Sequence, residues 1–356
     1  APLQDPAAWG PYDVGVTVLP LVDEARGRKV RTVVWYPALP AGEEQATYLF
    51  FVEGRAYTDA APDLSGAPHP FVLFSHGFNG IAEQSVTLME HLASHGYVVA
   101  AMDHEGNLFG DADAEDEEVA QVALERPVDV RFAYEQIVRL AGETGSSLEG
   151  LVDASRVVLS GHSFGGYTAL VAAGGVVKVD EAAAACASGV EADVFCPYID
   201  FWPSGSVIGL DPPIPHVRAL VALAPGGSAA FGGEGLAAVT GPKLLFGGSL
   251  DDTMPVALEL EPIYHALPSP KIEAVIAGAA HLSFTNICDI PIVARGLDDF
   301  CGIEGIRSPA DTFATVNRLT TAFLHVHVKE LSEYAVFLDI ARVAVDHPEV
   351  AWSFEP

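Results

Sequence analysis

The chain has 356 residues, of which 18 are basic and 48 acidic, so its formal net charge is −30. A surface this negative repels nucleic acid and anionic lipid headgroups, so we expect no nucleic-acid partner. Half of the residues (50%) are hydrophobic, which is enough to fill a large core and argues against disorder. No uninterrupted apolar run reaches the roughly 18–20 residues that cross a bilayer, so we expect no integral membrane segment. The sequence does not define an oligomeric state.

Strands and helices are predicted to alternate along the chain. Eight segments have the apolar or β-branched character of strands, at residues 15–22, 30–37, 71–74, 97–102, 156–159, 217–223, 243–247 and 272–276. Helical segments are predicted at 83–94, 127–141, 167–173, 312–331 and 333–345. The stretch between the second and third strands, up to about residue 69, is rich in Pro, Gly and Ala and is predicted to be a loop. The pattern indicates an α/β fold with a mostly parallel eight-stranded sheet and helices on both faces.

One segment interrupts this alternation. Residues 179–215 contain an aromatic cluster and a second half dominated by proline and glycine. An irregular insertion of this length is usually a functional loop, so we expect a lid-like segment within one domain that spans residues 1–356. The alternative is a loop that packs only its own aromatic side chains, which are Phe195, Tyr198, Phe201 and Trp202.

An acidic run at residues 111–118 invites comparison with a calcium loop. An EF-hand loop would need Gly at its sixth position and Glu at its twelfth, where this chain has Asp116 and Val122. We therefore expect a solvated acidic loop that leads into a helix N-terminus.

The four cysteines form two local pairs in the sequence, Cys186 with Cys196 and Cys288 with Cys301. No Cys-x-x-Cys or clustered Cys/His motif is present, so a metal site is disfavoured, and free buried thiols are the other alternative. Short-range disulfides are the favoured interpretation and imply an oxidising compartment. The first residues, 1–6, resemble a mature terminus after signal removal, so secretion or a periplasmic location is expected.

A nucleophile is predicted at Ser163. The motif Gly161-His162-Ser163-Phe164-Gly165 follows a strand and precedes a helix, which is the arrangement of a nucleophile elbow. A serine at so sharp a turn adopts a strained backbone conformation, and its neighbours must be small for strand and helix to pass closely.

A serine hydroxyl needs a base, and the base needs a carboxylate that orients it. In a fold of this kind the chain order is Ser, acid, His, with each residue at the C-terminal end of a strand. His281 follows the last predicted strand and is the expected base. The loop after the preceding strand contains Asp251 and Asp252, of which we favour Asp251 as the acid, with Asp252 bonding within the turn or capping the next helix.

The oxyanion of an acyl-transfer intermediate needs two donors. We expect one to be the backbone N–H of Phe164, directly after the nucleophile, and the other that of Phe78, in the loop after the strand at 71–74. Phe78, His162 and Trp202 are expected to contact the substrate.

Several motifs together resemble the platelet-activating-factor acetylhydrolase and predicted dienelactone hydrolase branch of the α/β-hydrolases. They are FSHGF (74–78), LASHGYVVA (92–100), RPVD (126–129), GHSFGG (161–166) and AHLSFT (280–285). The resemblance implies an α/β-hydrolase fold and a serine carboxylesterase with the triad Ser163, Asp251 and His281. Dienelactone hydrolases proper use a cysteine where this chain has Ser163, which favours ordinary ester hydrolysis over lactone chemistry. The loops at 77–78 and 161–163 are also similar to bacterial cutinases that cleave polyesters, whose open groove has no lid-like insertion.

The expected function is therefore hydrolysis of short-acyl carboxylic esters through a Ser-His-Asp acyl-enzyme, without a metal or cofactor. The alternatives are a phospholipid esterase, a cutinase-like polyester hydrolase that acts on a polymeric ester, and a hydrolase-fold protein that binds partners without catalysis.

Overall fold

A computed structural model describes residues 3–40, 45–49, 51–111, 114–188 and 194–356. The strands in these residues are β1 (Asp13–Asp23), β2 (Arg28–Ala38), β3 (Gln45–Tyr48), β4 (Val52–Thr58), β5 (His69–Ser75), β6 (Val98–Met102), β7 (Val152–His162), β8 (Val176–Lys178), β9 (Val207–Gly209), β10 (Val217–Leu223), β11 (Lys243–Gly248), β12 (Lys271–Ile276) and β13 (Val350–Glu355).

The α-helices of the same residues are α1 (Val86–Ser94), α2 (Asp116–Ala141), α3 (Phe164–Ala172), α4 (Val179–Ala187), α5 (Cys196–Ile199), α6 (Ser228–Phe231), α7 (Glu261–Ala266), α8 (Pro291–Ala294), α9 (Asp298–Cys301), α10 (Pro309–His327) and α11 (Ile340–Asp346). A π-helical turn spans Val256–Leu260, and 3₁₀ turns span His281–Phe284, Ile287–Asp289 and Ser332–Phe337. None of the described helices is long and apolar enough to cross a membrane.

One large sheet organises the molecule. In the described residues it has 11 strands in the order β13-β12-β11-β10-β7-β5-β6-β2-β1-β4-β3, while β8 and β9 form a separate two-stranded ribbon. The central strands β6, β5, β7, β10, β11 and β12 pair in parallel. Strand β2 pairs with β6 antiparallel, as β13 does with β12. The carboxyl ends of the central strands therefore meet along one edge, where the loops that follow them gather.

Helices cover both faces of this sheet. Phe71 and Val72 of β5 point to opposite faces because successive side chains alternate along a strand. Phe71 belongs to a buried cluster that includes Val130 of α2. Val72 belongs to a second buried cluster, with Leu319 of α10. The mostly parallel sheet with helices on both faces is as predicted.

The prediction of eight strands was wrong. The eight predicted strands are present, but β3, β4 and β13 extend the sheet at its two edges. Strands β3 and β4 lie in the stretch predicted to be a loop, and β13 lies beyond the last predicted helix. All three are half exposed, so they lack the continuous apolar run that marks a central strand.

Two helix boundaries also differ from the prediction. Helix α2 begins at Asp116, so Pro127 lies inside it, and the acidic residues Asp116, Glu117 and Glu118 form its first turn. At this position their negative charges interact favourably with the positive end of the helix dipole. The rest of the predicted acidic loop includes residues 112–113, which lie outside the described residues. The helix predicted at 333–345 is divided, because Asp339 caps a new helix by accepting hydrogen bonds from the backbone N–H groups of Ala341 and Arg342.

Both predicted disulfides are present. Cys186 is bonded to Cys196, and Cys288 to Cys301. The first lies within the predicted lid-like segment, 179–215, where α4, α5 and β9 are described and residues 189–193 are outside the described part. The role of this segment as a lid, and the assignment of residues 1–356 to one domain, stay predictions.

Candidate active site

Ser163 occupies the turn between β7 and α3. Its backbone has φ 56° and ψ −120°, a strained conformation for a residue other than glycine. The flanking glycines explain how the turn closes: a Cβ on Gly161 would overlap the carbonyl of Gly165, and a Cβ on Gly165 would overlap that of Ser75. The strand and the helix approach each other so closely here that only glycine fits. This geometry projects Ser163 at the carboxyl edge of the sheet.

His281 is paired with Asp251. The Nδ1 atom of His281 lies 2.8 Å from Oδ2 of Asp251. The other carboxylate oxygen of Asp251 accepts the backbone N–H groups of Thr253 (3.0 Å) and Met254 (2.7 Å). Asp251 is buried, whereas Asp252 is exposed. The geometry therefore agrees with the choice of Asp251, and the carboxylate is held on both oxygens before any substrate binds.

The two residues expected to donate to the oxyanion lie beside each other. Phe164 is the first residue of α3, so its N–H has no acceptor within the helix. Phe78 follows β5, and its ring centroid is 6.2 Å from that of Phe164. Both residues, together with Ser163 and His281, line one cavity of about 640 Å³.

The cavity walls are mainly apolar. In the described part of the chain, none of the lining residues is Asp, Glu, Lys or Arg. Aromatic and aliphatic side chains come from the loops after β5, β6, β11 and β12, from the start of α3, from the segment next to the Cys186–Cys196 disulfide, and from the segment closed by Cys288–Cys301. The apolar lining residues that were not expected from the sequence to line a pocket are Phe109, Val194, Met254, Leu282, Ile287, Leu297 and Phe300. They lie in loops and short helical turns whose course depends on tertiary contacts, so no local pattern marks them.

Trp202 does not lie in this cavity. Its side chain is buried and its indole N–H donates to the carbonyl of Ala120 on α2, at 3.0 Å. The expectation that Trp202 contacts the substrate stays a prediction that this position does not support, because a buried indole N–H needs a partner and α2 supplies one. Phe195 and Tyr198, from the same aromatic cluster, line the cavity instead.

His162 lies at the cavity wall but both of its ring nitrogens are engaged. Nε2 lies 3.0 Å from the carbonyl oxygen of His281, and Nδ1 lies 3.1 Å from the amide nitrogen of Gln84. Burial, and then the nearby His281, hold the pKa of His162 well below its usual value, so the ring is neutral. With no free ring nitrogen, His162 is placed to orient neighbouring groups rather than to bond a substrate.

A buried charged group supports the loop that carries Phe78. Arg126 of α2 donates to Oδ1 of Asn107 (2.7 Å), to Oγ of Ser75 (3.0 Å) and to the carbonyl of His76. Its guanidinium also lies over the Phe164 ring, 4.5 Å from the centroid. Burial lowers the pKa of Arg126 to about 9, which leaves the group charged at neutral pH.

The negative charge near Arg126 comes from Asp129, one turn further along α2. Asp129 is itself buried and contacts Arg28 and His104. Burial is the main cause that holds the pKa of His104 well below its usual value, and its Nε2 lies 2.9 Å from Oγ of Ser75. Among the described residues, no group of three or more His, Cys, Asp or Glu side chains is arranged to hold a metal ion.

The fold and this site together define an α/β-hydrolase, as predicted from the motifs. A family model described as Chlorophyllase matches residues 55–191. Cutinase est1 of Thermobifida alba is 25% identical over 237 residues, which cover 66% of this chain and 60% of the relative. Cutinase 1 of Thermobifida cellulosilytica and the cutinase of Thermobifida fusca are each 25% identical over 214 residues, 60% of this chain.

The chain spans only part of these relatives: 60% of the length of the first two and 52% of the third. The comparisons therefore show similarity to cutinases at 25% identity over 60–66% of this chain. The predicted resemblance to cutinases is confirmed at this 25% identity. The resemblance to the platelet-activating-factor acetylhydrolase branch stays a prediction.

Proposed function

We propose that this protein is a serine carboxylesterase that works through an acyl-enzyme. The observation that carries the proposal is the Asp251–His281 pair, whose histidine lines the same cavity as Ser163 on its strained turn. A hydroxyl, an imidazole and a buried carboxylate are the groups that acyl transfer to serine requires.

Acylation begins when Oγ of Ser163 attacks the ester carbonyl and its proton passes to Nε2 of His281. Asp251 holds Nδ1–H and stabilises the imidazolium without taking the proton. The N–H groups of Phe78 and Phe164 bond the oxyanion, each contributing roughly 3 kcal/mol in the transition state. The alcohol leaves with the proton from His281, and the acyl group stays on Ser163.

Deacylation repeats these steps with water. His281 removes a proton from the water, whose oxygen attacks the acyl carbonyl, and the same two N–H groups bond the new oxyanion. The carboxylic acid leaves when the proton returns to Oγ of Ser163. No metal or cofactor takes part in this scheme.

The cavity supports an uncharged ester with a short acyl chain. The absence of Asp, Glu, Lys and Arg from its described lining favours apolar groups on both sides of the ester bond, and its volume of about 640 Å³ has room for a short acyl chain. A phospholipid headgroup would find no cationic side chain among these lining residues, and the net charge of −30 opposes anionic surfaces.

A polyester is the second candidate substrate, favoured by the rim of the cavity. Phe78, Phe109 and Phe300 line the cavity and are 45%, 65% and 38% exposed. Exposed aromatic rings at the mouth of a site are suited to contact with an apolar solid. The similarity to cutinases supports the same candidate.

The two disulfides support a location outside the cytoplasm, because such bonds persist in oxidising compartments. We therefore place the protein in a secreted or periplasmic compartment.

A substrate panel tests the proposal. Nitrophenyl esters of increasing acyl length, a short-chain phosphatidylcholine and a polyester film are incubated with the wild type and with Ser163→Ala. We expect the fastest turnover on the short nitrophenyl esters and loss of turnover in the variant. Equal activity of the variant would exclude the serine mechanism, and an inactive wild type would support a non-catalytic binding protein.

A further inference from the structure

A chain of three buried hydrogen bonds connects the loops around the site. The backbone N–H of Gly77 donates to Oε1 of Gln84 (3.1 Å), the amide nitrogen of Gln84 contacts Nδ1 of His162 (3.1 Å), and Nε2 of His162 contacts the carbonyl of His281 (3.0 Å). The three side chains of Gln84, His162 and His281 are all buried. No motif in the sequence points to Gln84.

The donor and the acceptor of each of these three hydrogen bonds can be assigned. The carbonyl of His281 only accepts, so Nε2 of His162 carries the hydrogen. The neutral ring then has an acceptor at Nδ1, and Gln84 must present its NH₂ group there. That leaves Oε1 of Gln84 for the N–H of Gly77, which only donates. A protonated His162 would place a second N–H against the NH₂ of Gln84, so this series of hydrogen bonds requires a neutral His162 ring.

Gln84 holds the peptide directly before the one that carries the proposed oxyanion donor of Phe78. The N–H of Gly77 is bonded to Gln84, and the carbonyl of Gly77 contacts Nδ1 of His76 (2.7 Å) and accepts the N–H of Gly80 (3.1 Å). In a trans peptide the N–H of Phe78 points away from that carbonyl. Holding Gly77 on both sides therefore sets the direction of the Phe78 N–H.

The backbone around Gln84 is tied to the loop of the expected base. The carbonyl of Gln84 accepts the N–H of Asn286 at 2.6 Å, and Oγ of Ser85 donates to the carbonyl of Phe284 at 3.0 Å. Gln84 is therefore in contact with the oxyanion loop through its side chain, and with the segment after His281 through its backbone.

We propose that Gln84 is a positioning residue that keeps the backbone N–H of Phe78, the proposed oxyanion donor, correctly placed relative to Ser163 and His281. The proposal rests on the proposed function. A side chain of the same length without hydrogen bonds leaves the N–H of Gly77 and Nδ1 of His162 unpaired, so the loop loses its fixed direction. Small displacements of an oxyanion donor lower the rate more than they lower substrate binding.

The variant Gln84→Met tests this with steady-state kinetics on a nitrophenyl ester. We expect kcat to fall about ten- to a hundredfold, with KM within about threefold of the wild type. The rate of labelling by a fluorophosphonate should fall in parallel. The exposed Gln121 on α2 provides the matched control, Gln121→Ala, which should keep both constants. A folded Gln84→Met with kcat within about twofold of the wild type would overturn the proposal.

The variant Gln84→Glu provides a second test. Its expected result is a pH dependence that a purely structural role of Gln84 would not produce. A carboxylate still accepts from Gly77 but has no hydrogen for His162, until a proton binds to the carboxylate or to the ring. His162 faces His281 and His76, both of which oppose a positive charge on it. We expect the ratio of variant to wild-type kcat to rise as the pH falls below neutrality. A ratio that is flat or falls would overturn the proposal.

The two experiments distinguish a failure of the proposed function from a failure of the proposed role of Gln84. A wild type that neither hydrolyses esters nor reacts with the fluorophosphonate would overturn the proposed function. An active wild type whose Gln84 variants match it would overturn only the role of Gln84.

Discussion

His281 Nδ1 lies 2.8 Å from Asp251 Oδ2, in a buried pair at the carboxyl edge of the sheet. The remaining oxygen of Asp251 is bonded to two backbone N–H groups, so the carboxylate cannot rotate without losing them. The contact holds the imidazole with Nδ1 towards the acid, so Nε2 is the ring nitrogen to which the proposed mechanism assigns the proton of the Ser163 hydroxyl. Asp252, one residue further, is exposed and has no such contact with His281.

The two adjacent carboxylates are expected to differ sharply in their effect on catalysis. Asp251→Asn should lower kcat by about 10³- to 10⁴-fold, because an amide can hold the imidazole in the wrong tautomer. Asp252→Asn should stay within about twofold of the wild type. Steady-state hydrolysis of a nitrophenyl ester by both variants measures the difference. A large loss in Asp252→Asn with little change in Asp251→Asn would reverse the assignment.

Much of the geometry of the candidate site could be predicted because a sharp strand–turn–helix motif requires a local sequence pattern. Ser163 needs small neighbours in a strand–turn–helix motif, and this leaves Gly161 and Gly165 visible in the sequence. The choice between Asp251 and Asp252 could only be favoured, since adjacent side chains differ in direction and that direction depends on the loop.

Other features depend on contacts between distant parts of the chain. Strands β3, β4 and β13 are edge strands with half-exposed residues, so they carry no continuous apolar run. Trp202 resembled a pocket residue by composition, yet its N–H bonds to Ala120, about eighty residues earlier. The hydrogen bonds of Gln84 join the loop after β5 to His162 of β7 and, through the Gln84 carbonyl, to Asn286 in the loop after β12, and no spacing in the sequence indicates them.

The disulfide Cys288–Cys301 is expected to maintain one wall of the cavity. Leu297 and Phe300 line the cavity within the 13-residue separation that it closes. Replacing both cysteines by serine should lower the free energy of unfolding by about 3 kcal/mol through loop-closure entropy. It should also raise KM for apolar esters more than it lowers kcat, because the chemical groups lie outside this loop.

Urea unfolding and steady-state kinetics of the double variant measure both effects. The Asp252→Asn variant, which leaves the loop intact, is a suitable kinetic control. An unchanged KM in a protein of lowered stability would show that the disulfide contributes to the fold without shaping the cavity.

Stability is expected to fall in mild acid because buried histidines must be neutral. Burial is the main cause that lowers the pKa of His95 to about 4, while its Nε2 lies 2.9 Å from the carbonyl of Ala8. An unfolded histidine titrates near 6.5, so between about pH 6.5 and pH 4 the unfolded chain binds the extra proton. Each such group lowers the free energy of unfolding by about 1.4 kcal/mol per pH unit in that window, and contributes its full stability above it.

The variant His95→Gln keeps a donor for the carbonyl of Ala8 but removes the titration. Urea unfolding at pH 7, 6, 5 and 4 should show a slope of stability against pH that is shallower than in the wild type by about one proton. A slope identical to that of the wild type would mean that His95 does not bind its proton on unfolding.

Covalent labelling of Ser163 tests the central claim most directly. The wild type and Ser163→Ala are treated with a fluorophosphonate, and the adduct is located by mass spectrometry of the digested protein. The account predicts one adduct, on Ser163, with loss of ester hydrolysis in proportion to labelling, and none in the variant. An unlabelled Ser163 in a protein that still hydrolyses esters, or hydrolysis that survives in Ser163→Ala, would contradict it.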